Sequence, residues 1–334
     1  NPADLDELGR AVFENVAPAA PEAALTALER TLQTSPIEES LRFRPYCNLV
    51  RSLAFDGALF ERSAELLVTI LVNGDIGPEA PETRLLTSLF QPYWSGTHAT
   101  LEQRLRFIEF LVYSPDPKRQ SLGLLGMRAT LETMHFDLAG DFDFGAQPRD
   151  YGFWPSTPKE HALWYGVSLS FAARLAVGNE PLASSARKAI AEGFRGLWLR
   201  SNIRDEIART CRQISGRNFW PEGWRAARQT LEFEGTGLSA ESRAELVALE
   251  QEIRPKDLLQ KARAVVFSMH VPCVEFGDFD AQSSDDRGVR IAPDPRACSG
   301  PWEGRVSRGR GPLGPASRNR GNRRISMALW VWSS

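Results

Sequence analysis

Cysteine is scarce in this chain, and its placement excludes two classes of protein. Four cysteines, at 47, 211, 273 and 298, stand among 334 residues without a CxxC pair. That leaves no disulfide framework and no structural zinc site, and a reducing compartment, the cytoplasm, is expected. Long apolar runs are also missing. LLVTILV at 66–72 is far short of the ~18 residues of a membrane span. The first residues, NPADLDELGR, have no basic region followed by an apolar one, so they do not read as a signal peptide. They also lack an initiating methionine, which suggests a fragment or a trimmed product. A phosphate-binding GxxxxGK[ST] loop is absent; RGRGPLGP at 308–315 has the glycines but no lysine and no strand before it. GxSxG, HExxH and the EF-hand loop are absent too. No cofactor is implied, and the balance leans against an enzyme.

What is present is the composition of an ordinary globular protein, with 42% apolar and 25% charged residues. Apolar residues recur three or four apart over 3–16, 21–33, 45–55, 58–72, 82–91, 101–113, 117–134, 158–177, 183–199, 203–215, 222–233, 240–253 and 256–268. Short breakers such as TSPIEES, SGTHAT and EGTGLS separate them. Thr100 with Gln103, and Thr157 with Glu160, fit capping boxes, and Pro158 takes the first helical position, where its missing N–H costs nothing. No strand-like alternation and no βαβ rhythm is found. The expected fold is all-α: an irregular helical-repeat array of the HEAT or armadillo sort, with one long aromatic connector and a disordered C-terminal tail. The expected organisation is helical repeats over 1–135, the connector over 136–157, further helical repeats over 158–270, and an irregular tail over 271–334.

The tail has a charge of its own. Between Arg287 and Arg324 ten arginines face only Asp294 and Glu303, a surplus of eight positive charges. With the whole chain at −2, the remainder carries about −10. That remainder gives no electrostatic reason to expect nucleic acid. The tail itself reads in three ways: an RGG-like nucleic-acid arm, a disordered extension, or residues translated out of frame. The bias of five lysines against 35 arginines points to GC-rich coding. Shifted GC-rich codons yield Arg, Gly, Pro, Ala and Ser, which fits the abrupt change and the ending MALWVWSS.

The stretch DFDFGAQPRDYGFWPST, 141–157, is the main candidate for function. In an extended segment Phe142 and Phe144 share one face. Gly145 and Gly152 permit unusual turns. Arg149 and Asp150 satisfy local backbone groups, and Tyr151, Phe153 and Trp154 lead into the Thr157 cap. Two readings stand side by side. In the first the rings plug into the helical scaffold, with Phe142, Phe144 and Trp154 buried. In the second Phe142, Phe144, Arg149, Asp150, Tyr151 and Trp154 contact a ligand or partner, since loops on rigid scaffolds often carry binding.

A metal reading joins His135, Asp137, Asp141 and Asp143 with His161, as in a metal-dependent hydrolase. The spacing matches no known ligand pattern, and His161 beside Trp164 and Tyr165 reads as a packed or surface histidine. Cys211 reads as a buried thiol. Glu222 in FWPEGW reads as part of a packed helix start.

Four stretches carry a resemblance. LFQPYWSGTHATLEQRLRFIEFLVYSPDPKRQSLGLLGMRATLETMHF at 89–136, FDFGAQPRDYGFWP at 142–155, FWPEGW at 219–224 and IRPKDLLQKAR at 253–263 resemble the helical region of large bacterial STAND-type P-loop NTPases. The resemblance covers about 40–270. It implies a helical sensor preceded by an effector domain and an NTPase, several such proteins acting in phage defence. No NTPase lies in this sequence, so such a module would precede Asn1. The resulting expectation is a recognition or scaffold region whose partner is another protein or upstream domains of the same polypeptide, without membrane contact. Partner binding would shift an NTPase between closed and assembled states.

Overall fold

The computed structural model describes residues 1–134, 136, 144, 145 and 149–266, the last two by their backbone alone. These residues belong to one compact unit, 1–275; the second unit, 276–334, lies outside the described residues, as does the tail expected to be disordered. Among the described residues there are thirteen α-helices and no β-strand, so the fold is all-α. In order they are α1 (Glu7–Val16), α2 (Pro21–Thr34), α3 (Cys47–Leu53), α4 (Phe60–Asn73), α5 (Pro81–Ser88), α6 (Leu101–Val112), α7 (Pro117–Thr130), α8 (Pro158–Ala176), α9 (Leu182–Arg200), α10 (Arg204–Ser215), α11 (Pro221–Glu234), α12 (Ala240–Ile253) and α13 (Leu258–Val266).

Local chemistry sets these boundaries. Pro21, Pro81, Pro117, Pro158 and Pro221 each open a helix, at the position where a missing N–H is harmless. Both expected capping boxes form: Thr100 Oγ1 accepts from Gln103 N at 3.2 Å, and Thr157 Oγ1 from Glu160 N at 3.2 Å. The stretch 37–46, which includes part of the breaker TSPIEES, is instead a 3-10 helix, Ile37–Tyr46. Pro45 removes a backbone donor that an α-helix would need. The three-residue period then places Ser40, Phe43 and Tyr46 on one buried face.

One hydrophobic cluster runs from Ala17 to Ala264 and joins helices on both sides of the connector. In it α6 packs on α7, α8 on α9, α9 on α11 and α11 on α12, while α7 touches both α8 and α9. Trp164 on α8 donates to Thr130 O at the end of α7 (3.0 Å), and Tyr165 Oη donates to Glu132 O (2.7 Å). Arginine–glutamate bridges cross between helices at the surface: Arg62–Glu29 at 2.6 Å, Arg119–Glu65 at 2.6 Å and Arg128–Glu192 at 3.2 Å. Each adds about 0–1 kcal/mol, so the apolar cluster carries the stability. The one deeply buried carboxylate among these elements, Glu250, accepts from Trp224 Nε1 (2.8 Å) and from Arg254 (2.8 Å), which satisfies its charge.

Candidate interaction site at the aromatic connector

Among the described helices, the longest connection in sequence is the one between α7 and α8, residues 131–157. Its described part is fastened at three levels. At the backbone, Tyr151–Phe153 lies along Ser95–Thr97: Gly96 N donates to Tyr151 O (2.9 Å) and Phe153 N to Thr97 O (2.8 Å). Gly152 permits this close approach. Its φ is +82°, and a Cβ there would sit 2.4 Å from Thr97 N. The partner segment is tied back in turn, His98 N donating to Phe55 O at 2.9 Å.

Beneath the pairing lie two buried arginines. Arg104 on α6 is fully buried and donates to three carbonyls, Ala99 O (3.0 Å), Gln91 O (2.7 Å) and Thr97 O (3.2 Å). Its guanidinium lies 5.1 Å from the Trp164 ring centroid. Burial pulls its pKa down to about 9, which still leaves it cationic at neutral pH. Arg51 on α3 donates to Ser95 O at 3.2 Å. Gly96, at φ +65°, packs on that guanidinium so closely that a Cβ would stand 2.6 Å from Nη2. The fork of donors matches the run of carbonyls in 91–99.

At the side-chain level, Phe144 is 7% exposed. Arg149 lies over its ring at 3.9 Å and over Phe55 at 4.4 Å, and donates to Ser52 O at 2.6 Å. Arg149 therefore binds a distant carbonyl instead of a local one, and burial lowers its pKa. Asp150 Oδ1 accepts from Gly152 N (2.9 Å) and meets His98 Nε2 at 2.9 Å. His98 in turn stands edge-on to Phe55, 4.8 Å between centroids.

The six candidate residues thus divide. Phe144 is buried as expected and Arg149 is half-buried. Asp150, Tyr151 and Trp154 are exposed. Phe142 lies outside the described residues. The expected burial of Trp154 is corrected: it is 41% exposed. Gly152 and Pro155 take the inward positions instead, and the first turn of α8 beyond them faces solvent. Phe153, stacked on Trp164 at 6.3 Å, already closes the inner slot. Tyr151 (46%), Trp154 (41%), Trp94 (39%) and Phe153 (37%) therefore put four large aromatics at the surface of two paired segments.

The sequence reading did not single out Arg51, Trp94, Thr97, His98 or Arg104. One signal was there: Arg104 interrupts the apolar stripe of α6. In SGTHAT, Thr97 and Ala99 are fully buried while His98 and Thr100 are exposed, a period of two that the structure shows and the residue types do not.

The residues of the hydrolase reading fall only in part within the described structure. His135, Asp137, Asp141 and Asp143 lie outside the described residues. Among the described residues no group of three or more His, Cys, Asp or Glu side chains is placed to hold a metal ion. His161 sits between Tyr165 (4.9 Å) and Tyr93 (6.0 Å), and burial lowers its pKa. Cys47 and Cys211 are buried thiols pushed up to about 12, the opposite of an activated nucleophile. Glu222 lies 3.9 Å from Arg225 in the first turn of α11. A cleft of about 830 Å³ opens elsewhere, over Leu32, Leu66, Phe107 and Phe110, and its arginines 62 and 106 pair with Glu29 and Glu61. No family model, no curated protein and no solved structure matches this chain. No described helix is long and apolar enough to cross a membrane.

Proposed function

We propose that this chain is a non-catalytic recognition or scaffold region in which the aromatic connector contacts a protein partner or upstream domains of the same polypeptide. One observation carries this reading. Tyr151, Phe153 and Trp154 are exposed, yet the backbone of Tyr151 and Phe153 is hydrogen-bonded to Gly96 and Thr97 over two buried arginines. Large rings held on an ordered backbone lose little conformational entropy on binding, which is why Tyr and Trp dominate interaction hot spots. A connector serving only to join α7 to α8 has no need of such rings at its surface.

The finer reading is that of a helical-repeat sensor within a larger NTPase switch, of the kind seen in STAND-type defence proteins. The resemblance over 40–270 supports it, and the NTPase would be encoded upstream of Asn1. Two measurements test these levels separately. The double variant Tyr151→Ser, Trp154→Ser should keep the wild-type melting temperature, because both side chains are exposed, and should lose a protein retained by the wild-type chain in parallel affinity captures. Identical captured proteins would refute the surface. Sequencing the gene upstream of the Asn1 codon tests the finer reading, which requires a GxxxxGK[ST] motif in frame.

A further inference from the structure

Helix α1 is turned inside out. A surface helix normally directs its apolar stripe at the core and its charges at water. In α1 no residue is buried. Leu8, Val12 and Val16, four apart and hence on one face, are 73%, 55% and 59% exposed. Ala11 and Asn15 beside them are exposed too. The helix docks through its other side: Phe13 meets Tyr46 edge-on at 5.9 Å, and Arg10 and Glu14 lie within electrostatic reach of the Tyr46 phenol. The helix is well formed in this orientation, with Asp6 capping Gly9 N at 2.7 Å. An exposed stripe of this kind is a contact face awaiting its cover.

We propose that this face is covered by an amphipathic helix of a partner, one whose apolar stripe is flanked by lysine or arginine. Three arguments select that occupant. First, α1 offers side chains and no open backbone edge, so a strand has nothing to pair with, whereas a helix can pack its ridges into the grooves between Leu8, Val12 and Val16. Second, with Arg10 and Glu14 on the docked side, the exposed charges at the N-terminal end of the stripe are Asp4, Asp6 and Glu7, a surplus of three negative charges that attracts a basic flank. Third, the same surplus disfavours the other occupants. Two copies of α1 packed in parallel would bring acid against acid, and an anionic lipid surface attracts helices with basic flanks, not acidic ones. This inference rests on α1 and stands or falls independently of the connector.

The test uses the full chain and two synthetic helical peptides of about 20 residues, long enough to hold helix. They share one Leu/Val stripe; lysines flank it in the first and glutamates in the second. Fluorescence anisotropy should show the lysine-flanked peptide binding at least about tenfold more tightly than its glutamate counterpart. In the triple variant Leu8→Gln, Val12→Gln, Val16→Gln that binding should be lost, while the melting temperature stays as in the wild type because the three positions are exposed. Equal affinities, no binding of the lysine-flanked peptide, or binding that survives in the variant overturn the proposal. So does a dimer in light scattering, or co-sedimentation with phosphatidylglycerol vesicles, that the triple variant abolishes.

Discussion

At the scale of single residues, the connector is governed by groups that look misplaced. A buried arginine without a carboxylate is costly unless every N–H finds an acceptor. Each Arg104 guanidinium nitrogen donates to a backbone carbonyl; Thr97 O also accepts from Phe153 N, so removal of the side chain strands two acceptors, Ala99 O and Gln91 O. Each buried acceptor left without a donor costs about 1–3 kcal/mol. Arg104→Leu should therefore destabilise the protein by at least about 2 kcal/mol in urea melts. A change below about 1 kcal/mol would mean that water replaces the guanidinium. Phe144→Ala removes a buried ring from under Arg149, and the loss should be roughly 3–5 kcal/mol; an unchanged melting temperature would make Phe144 a free binding residue. His161 supplies the pH dependence. Burial holds its folded pKa below the unfolded value near 6.5, so the unfolded chain takes up its proton first as pH falls. The stability tied to neutral His161 is complete above the unfolded pKa and declines as pH drops below it. Melting temperature should fall between pH 7.5 and 5.5, and His161→Gln should flatten that slope; an equal slope in the variant would assign it to other groups.

At the scale of elements, the pairing of Tyr151–Phe153 with Ser95–Thr97 turns on a single missing Cβ. Gly152→Ala would force a side chain into Thr97 N from a backbone conformation with positive φ. The two segments should separate, and the amides of Gly96 and Phe153 should exchange with solvent faster while those of α4 and α9 keep their protection. Unchanged exchange at both amides would show that other contacts hold the connector. The same element shows what was legible in advance. Helices follow from a 3.6-residue period that local spacing reveals, so α2, α4, α6 and α8–α12 fall within a few residues of where the pattern puts them. The capping boxes are equally local. The 3-10 helix at Ile37–Tyr46 was hidden because its period is three and its buried face holds only Ser40, Phe43 and Tyr46. The connector's anchoring could not be read locally either. Arg149 finds its carbonyl at Ser52, 97 positions away, and Arg104 serves a segment whose sequence looks like a plain breaker. Nothing in GFWP says that Gly152 and Pro155 turn inward while Trp154 stays out.

At the scale of the whole molecule, the question is whether the helices before and after the connector open together. A quasi-one-dimensional array melts from its ends, each layer depending only on its neighbours. Here the apolar cluster passes without a break from α2 to α13, and α7 is the hub. It packs on α4, α5 and α6 on one side and on α8 and α9 on the other. Trp164 and Tyr165 add hydrogen bonds from α8 to the residues that close α7. These contacts couple the two halves more strongly than a linker would. Hydrogen exchange measured across a urea series should therefore give α4 and α9 a common opening free energy, the signature of one cooperative unit. Helix α1 should depart from it and open at lower free energy, because no side chain of that helix is buried. Trp164→Ala is the decisive perturbation. It removes the side chain that sits under Arg104 and bonds Thr130 O, so α4 and α9 should lose protection together. If α9 alone loses protection, the halves are separate units and the connector is a true boundary.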